Sequence, residues 1–510
     1  MSLIKKKLFE LLTWLAFIIS SILLYFIATD FFIFPSKYKI PFLLFLIMLI
    51  CITGIFSILA RGWFSKFTGV FNILICLLMV IAFVMLPNIE NRVKKIFNNV
   101  KIDNEVINVY VLNKNYKDNV DEFKSSKFIV QRSIDQENQN YAIDILKKKF
   151  EKDSLYLVNK EDVMSAVEAL YKEEGTLLIL NEAIVPMIEE FEGFGNFSDE
   201  CKVVYSINKE VVIDEPVVED TKEITERAFL VYIAGCDTRS GRLTTYGRTD
   251  VNLIVCINPK TKQIMICGIP RDAYVRNPAL ENQKDKLTHL GNHGIFNTLK
   301  GVNNHFNINI EYYGEVIFDT FKRIVDAVDG IDVDNPYYFS TYGGNGGQFS
   351  SRDYEFPEGN IHLTGDSALA YCRERYNLSN GDYGRNEHQT IALKALIQKL
   401  LSPSIIENYN SILNALDGQF LINMDMEDVF KLIAMQLDDN SSWDIITYHL
   451  GGEGAMQGTA SMGWDRLLYT VNLFDSQVNF IRNEIEKMNN DQRIKQQVLP
   501  NDAETTYIPN

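Results

Sequence analysis

Residues 250–270 read DVNLIVCINPKTKQIMICGIP: two nearly continuous apolar runs joined by NPKTK. Asn-Pro favours a turn, and five residues suffice to reverse the chain, so the stretch predicts a β-hairpin. Neither arm alternates apolar with polar residues, as a sheet with one wet face would. Near-continuous apolar arms belong to a sheet covered on both faces. RAFLVYIAG (227–235) precedes them with the same character. Helices are expected at 291–306, 315–328, 364–374 and 385–402, with more between 405 and 438. WDIITYHL reads as a late strand and 464–487 as a closing helix. The class is a three-layer α/β/α sandwich over residues 226–487. Residues 488–510 read as a polar, mobile tail.

Upstream, IDEPVVEDTKEITE (213–226) combines a Pro with clustered charge and reads as a linker. Before it, residues 89–225 form a smaller α/β accessory domain. VINVYVL (106–112), SKFIVQ (126–131), TLLILN and KVVYSIN are strand-like. Residues 137–152 and 160–174 are helical, with Val163, Ala166, Val167 and Leu170 at three- and four-residue spacing. This domain carries no chemical constellation and reads as a positioning or partner-binding module.

Residues 1–88 hold three transmembrane helices. Leu11–Thr29, Ile40–Ala60 and Phe67–Leu86 contain no charged residue, and each is about the ~20 residues a helix needs to cross a bilayer. Trp14, Tyr25, Tyr38 and Trp63 lie near their ends, where amphipathic rings favour the interface. The first run is too long for a signal peptide and lacks a small-residue cleavage site. Lys5, Lys6, Lys7, Arg61 and Lys66 flank one side, and Lys37, Lys39, Arg92, Lys94 and Lys95 the other. The tie leaves orientation undecided by charge. An odd number of spans still places the N-terminal tail and the large remainder on opposite faces.

Seven cysteines in 510 residues make no disulfide framework: Cys51 and Cys76 lie inside spans, and the rest are scattered. Cys236, Cys256 and Cys267 sit in or beside apolar strands as small hydrophobes, and no CxxC pair suggests zinc. The formal charge of −16 and the lack of a basic face argue against nucleic acid as a partner. YGGNGGQFS (342–350) lacks the Lys-Ser/Thr of a phosphate-binding P-loop and reads as a flexible loop. His289 and His293, four apart without an intervening Glu, read as structural.

Charge collects around the predicted strand ends. GCDTRS places Asp237 and Arg239 after the first strand of the sandwich, and GRTD places Arg248 and Asp250 before the second. IPRDAYV places Arg271 and Asp272 after the third. KDKLTH supplies Lys286, and YCRERYNLSNGDYGRNEHQ (371–389) supplies Arg373, Arg375, Asp382, Arg385 and Gln389. Gathered at one edge, these arginines would grip phosphate oxygens, and several together would neutralise a pyrophosphate. Paired aspartates beside them suit a hard divalent cation, most naturally Mg2+. Arg373 and Arg375 cannot share a helical face, so 371–375 is expected to be the extended end of an element. An ordinary surface salt-bridge lattice, worth ~0–1 kcal/mol per pair, would carry the same spacing.

GCDTR, GRTD, IPRD, KLTH and RER…DYGRNEHQ, in this order over about 226–405, resemble the LytR–CpsA–Psr (LCP) family of Gram-positive cell-envelope phosphotransferases. Three spans followed by an accessory domain further resemble its capsule-linked streptococcal subgroup. The resemblance implies an extracytoplasmic large domain. It also implies transfer of capsular polysaccharide or another anionic glycopolymer from an undecaprenyl-pyrophosphate carrier to a peptidoglycan acceptor. By the same resemblance Asp237 and Asp250 hold the metal, Mg2+ with Mn2+ as a substitute. Arg271, Lys286, Arg373, Arg375, Arg385 and Gln389 contact the pyrophosphate, and Arg373, Arg375, Asp250 and Asp272 form the catalytic set. Thr249 replaces a frequent Ser. His388 stands where many members have Arg, so that one charge is either lost or supplied as imidazolium at acidic wall pH. Two other readings are a lipid-pyrophosphate hydrolase, and a non-catalytic regulator of capsule assembly that contacts capsule polymerisation or kinase proteins.

Overall fold

The computed structural model describes residues 7–500 apart from 31–33, 35, 60–61, 97–101, 133, 213–221, 237–244, 342–352, 403–404 and 417–419. Three helices come first, Leu8–Asp30, Lys39–Leu59 and Trp63–Ile96. Within them Leu8–Thr29, Lys39–Leu59 and Lys66–Met85 are long and apolar enough to cross a bilayer. Phe17, Leu46 and Met79 pack between the helices, while Leu12, Ile55, Leu78 and many like them point outward and exposed. A Cβ on Gly54 would stand 2.5 Å from the Trp14 ring, so this glycine permits close helix approach.

The first soluble body is a five-stranded sheet of β1 (Ile102–Leu112), β2 (Lys127–Gln131), β3 (Tyr156–Lys160), β4 (Leu177–Asn181) and β5 (Cys201–Val212), in the order β3-β2-β4-β1-β5. β2 runs parallel to β3 and β4, and β1 antiparallel to β4 and β5. Alternation sends Ile107, Val109, Leu177 and Ile179 against the helix Gln136–Phe150. It sends Tyr110, Leu178 and Leu180 against the helix Val163–Tyr171. The short, half-buried YLVNK of β3 is the strand that patterning overlooks.

The second body carries β6 (Phe229–Cys236), β7 (Thr249–Asn258), β8 (Gln263–Gly268), the small hairpin β9 (Tyr274–Asn277) and β10 (Gln283–Lys286), and β11 (Tyr312–Ile317). Its six-stranded sheet runs Phe420–Ile422, β11, β6, β7, β8, Asp444–His449. Of these, β7 and Phe420–Ile422 oppose the other four. The expected hairpin is β7–β8, its turn closed by Thr261 N–H donating to Asn258 Oδ1 at 3.0 Å. Both faces are covered, as the continuous apolar arms require. Tyr232, Ile254 and Met265 meet the helices Ile295–Phe306 and Asp475–Asn489. Val231, Val255 and Ile266 meet Asp382–Leu400 and Met426–Asp439. The three-layer α/β/α sandwich follows.

Three expectations need correction. YYGEVI (312–317) is β11, and the helix expected from 315 begins only at Phe318. Residues 464–487 are not one helix: the strand Gly463–Leu473 pairs with Gly452–Thr459, and a helix follows at Asp475–Asn489. The aromatic and β-branched residues of WDRLLYTVNL favour extended backbone with a cross-strand partner. Finally, residues just past 488 are docked. Ile494 is buried, its N–H and C=O both bonded to the Gln263 side chain at 2.9 and 2.8 Å.

The hairpin 452–473 also joins the two bodies. Met462 and Leu468 are buried in the apolar cluster of the first body, and Arg466 Nη2 lies 2.7 Å from Glu168 Oε1.

Candidate active site

Several chain segments turn at one edge of the six-stranded sheet. β6 and β11 end there side by side, Cys236 opposite Ile317. β7 begins there with Thr249 opposite Cys236, and β8 ends there with Gly268 opposite His449. Most segments leaving this edge bring charge. Asp250 is the second residue of β7, Arg271 and Asp272 follow β8, and Lys286 closes β10. Arg373 closes the helix Gly365–Arg373, and Arg385 lies one turn into Asp382–Leu400.

Side-chain contacts knit these residues together. Arg271 Nη1 donates to Asp250 Oδ1 at 2.9 Å, and its Nε lies 3.8 Å from Asp272 Oδ2. Lys286 Nζ is 3.0 Å from Asp272 Oδ1, and Arg385 Nη2 is 2.5 Å from Asp382 Oδ1. Burial alone would raise the Asp250 carboxyl, but Arg271, Arg248 and Arg385 outweigh it and hold the group well below the usual carboxylate range. Asp272 is likewise buried, and Arg271 and Lys286 bring it down. Arg385 is shifted the other way. Burial pulls its guanidinium down, Asp382 offsets this only in part, and Arg271 and Arg375 add repulsion. An anion placed here would relieve that unmet demand for negative charge.

The expected break at 371–375 is present. The helix stops at Arg373 because Glu374 turns extended (φ −61°, ψ 133°). Glu374 Oε1 then accepts the backbone N–H groups of Arg375, Tyr376 and Asn377 at 3.0, 2.8 and 3.0 Å. That oxygen fixes the turn. Arg373 lies 4.4 Å from the Phe318 ring, the residue just after β11. Arg375 lies over the Tyr376 ring at 4.5 Å.

Two neighbours on the helix Asp382–Leu400 bond the backbone of the helix that ends at Arg373. Gln389 Nε2 donates to the Cys372 carbonyl at 3.3 Å, bracing the helix end that carries Arg373. His388 cannot stand in for a missing arginine. It packs against both Tyr371 and Phe339 with ring centroids 4.2 and 4.5 Å away, and its Nδ1–H donates to the Tyr371 carbonyl at 3.2 Å. Burial lowers its pKa to about 4, so the imidazolium alternative fails at wall pH.

This carries a consequence for stability. An unfolded His388 binds its proton near the ordinary value of 6.5, whereas the folded one resists it down to about 4. Stability is therefore full above pH ~6.5 and falls as pH drops toward 4, by about 3 kcal/mol in all. His388→Phe keeps the stack and removes the proton site. Thermal melts at pH 7 and 5 should show a smaller acid loss in that variant than in the wild type.

Sequence reasoning missed Glu190. It comes from the first soluble body, yet its carboxylate pairs with Arg248 and lies 3.8 Å from Lys286 Nζ. Arg248 Nη1 also reaches the Pro186 carbonyl at 3.5 Å. No local signal marks one Glu in MIEEFEG, because its partners lie at least 58 positions downstream. His289 Nδ1 lies 2.8 Å from the buried Asp285 beside Lys286. Asp237 and Arg239, and the glycine-rich loop 342–350, lie outside the described residues.

Among the described residues, no three His, Cys, Asp or Glu side chains are grouped to cage a metal. Mg2+ needs no such cage, since it binds through one or two carboxylates plus substrate phosphates. Asp250 fits that demand: it is held ionised, and its Oδ1 alone takes the Arg271 hydrogen bond.

Comparison with known proteins gives the family. The LytR_cpsA_psr family model matches residues 201–470, just over half the chain. The chain is 31% identical over 294 residues to the polyisoprenyl-teichoic acid–peptidoglycan teichoic acid transferase TagU of Enterococcus faecalis, covering 56% of this chain and 88% of the relative. The TagU of Halalkalibacterium halodurans is 34% identical over 206 residues, covering 40% and 64%. The crystal structure of B. subtilis TagV is 26% identical, covers 53% of this chain and 99% of its own, and superposes with a TM-score of 0.42. On the family match and the extent of the Enterococcus alignment, this chain belongs to the LytR–CpsA–Psr family.

Proposed function

We propose that this protein is a membrane-anchored transferase that moves an anionic glycopolymer, capsular polysaccharide among the candidates, from undecaprenyl pyrophosphate to peptidoglycan. The observation that carries the reading is the convergence of Arg271, Lys286, Arg375 and Arg385 with ionised Asp250 and Asp272 at one sheet edge, with Arg373 on the adjoining Phe318. The relatives named as teichoic acid transferases support the reaction class. Lys37, between the first two spans, donates to the carbonyls of Leu437 and Asp438 at 2.9 and 2.6 Å. That contact favours a topology in which this connection and the second body share the extracytoplasmic face.

In the proposed mechanism the arginines bind the pyrophosphate bidentately and stabilise charge as it builds on the leaving group. A peptidoglycan hydroxyl attacks the sugar-proximal phosphorus. The bond from that phosphorus to the bridging oxygen breaks, and undecaprenyl phosphate leaves with the electron pair. Asp250 and Asp272, held ionised by the cations around them, orient the hydroxyl, whose proton passes to the leaving phosphate or water. Asp250, with Asp237, would hold Mg2+, which supplies Lewis-acid neutralisation of the phosphate oxygens. Gln389 positions the Arg373 segment.

The purified full chain, given lipid-linked glycopolymer and peptidoglycan fragments, should yield a glycan–phosphate–peptidoglycan product and polyprenyl phosphate. Release of polyprenyl phosphate at the same rate without acceptor would favour a lipid-pyrophosphate hydrolase instead.

A further inference from the structure

Glu190 reaches the cation cluster from a different body, and the junction does not need it for attachment. Met462 and Leu468 already bury their side chains in the first body, and Arg466 pairs with Glu168. Lys286 also already has a carboxylate partner, Asp272 at 3.0 Å. Glu190 is thus a second carboxylate on Lys286, while for Arg248 it is an ion-pair partner reaching across the junction. It also places a fixed negative charge where phosphate oxygens would otherwise meet two cations. The groups facing Glu190 are Arg248, Lys286, Arg271 and His289; burial would raise its carboxyl, but these together hold it ionised.

Building on the function proposed above, we infer that Glu190 is a specificity-determining residue that selects glycan-loaded carrier over bare polyprenyl pyrophosphate. The loaded carrier is a pyrophosphate diester with one negative charge on each phosphorus. Bare carrier is a monoester whose terminal phosphate takes up a further charge, with a last ionisation near pH ~6. Both suffer the repulsion of Glu190, but the monoester suffers it more, and its extra anionic oxygen finds Arg248 and Lys286 already engaged. The sugar ester puts a neutral oxygen in that place. The first soluble body thereby supplies substrate discrimination to a site built on the second.

The test is competition between two probes on the full chain in detergent: geranylgeranyl pyrophosphate and its N-acetylglucosaminyl diester. The wild type should favour the diester. Glu190→Gln should shift the ratio toward the monoester by about tenfold, the scale of one unpaired charge at close range. Glu190→Asp, which keeps the charge, should leave the ratio within about twofold. Because both ligands are read on one protein, a general loss of folded material cancels. Glu190→Ala takes the place of the Gln variant should that one fail to melt cooperatively. An unchanged ratio in the neutral variant, with both probes still bound, would overturn the role of Glu190 and leave the anion site standing. Failure of the wild type to bind either probe would overturn the site itself and this inference with it.

Discussion

Replacing Arg271 by alanine should lower glycopolymer transfer by roughly 10³-fold, the upper range for losing one preorganised donor to a developing anion. Arg271 bonds Asp250 and lies beside Asp272, and burial opposes its charge while those two carboxylates sustain it. Its loss removes a phosphate-facing guanidinium and one partner of each aspartate. Arg248, Arg385 and Lys286 remain near them, so the fold should survive with a loss of about 1–3 kcal/mol. Arg271→Lys should rescue little, since a single ammonium cannot form the fork that serves two carboxylates. The acid response should change as well. A carboxyl held below its ordinary value contributes stability that is present above about pH 3.8 and is lost as pH falls through the lowered folded value. Without Arg271 the folded Asp250 carboxyl moves back toward its unfolded value, so the variant, already less stable at neutral pH, should lose less further stability on acidification than the wild type. Parallel melts between pH 3 and 7 check this, and identical acid profiles would contradict the assigned charge pairing.

The double substitution Arg373→Ala with Arg375→Ala should reduce wall-attached polymer by about 10² or more while polymer synthesis continues. The two guanidiniums sit on either side of a turn held by the Glu374 carboxylate, over Phe318 and Tyr376. Neither contact makes a core, so the variant should melt within a few degrees of the wild type. Cell-wall fractionation beside total polymer measures the split directly. Altered synthesis with normal attachment would instead support a regulator of capsule assembly.

The fold was legible where the chain is punctuated. The NPKTK turn between two uninterrupted apolar arms announced both the β7–β8 hairpin and a sheet covered on both sides. β11 was not legible, because YYGEVI passes into the helix at Phe318 with no Gly or Pro between them. The strand Gly463–Leu473 was missed for another reason: its partner and the first body that buries Leu468 decide it, and periodicity sees neither. The same distinction runs through the site. Residue types and their order placed Arg271, Lys286, Arg385 and Asp250 near one another, because each follows or precedes a strand or helix end. Side-chain direction was out of reach. Gln389 and His388 lie within one turn of Arg385, yet one bonds the Cys372 carbonyl and the other stacks on Tyr371. Glu190 was further still, reaching the site only because a separate body docks there.

The most direct test is a structure of the full chain bound to a non-hydrolysable polyprenyl pyrophosphate analogue. The two phosphates are predicted to lie within hydrogen-bond reach of Arg271 and Arg385, with Arg373 or Arg375 closing over them. A head group seated elsewhere, with those guanidiniums still facing only their own carboxylates and rings, would contradict the account.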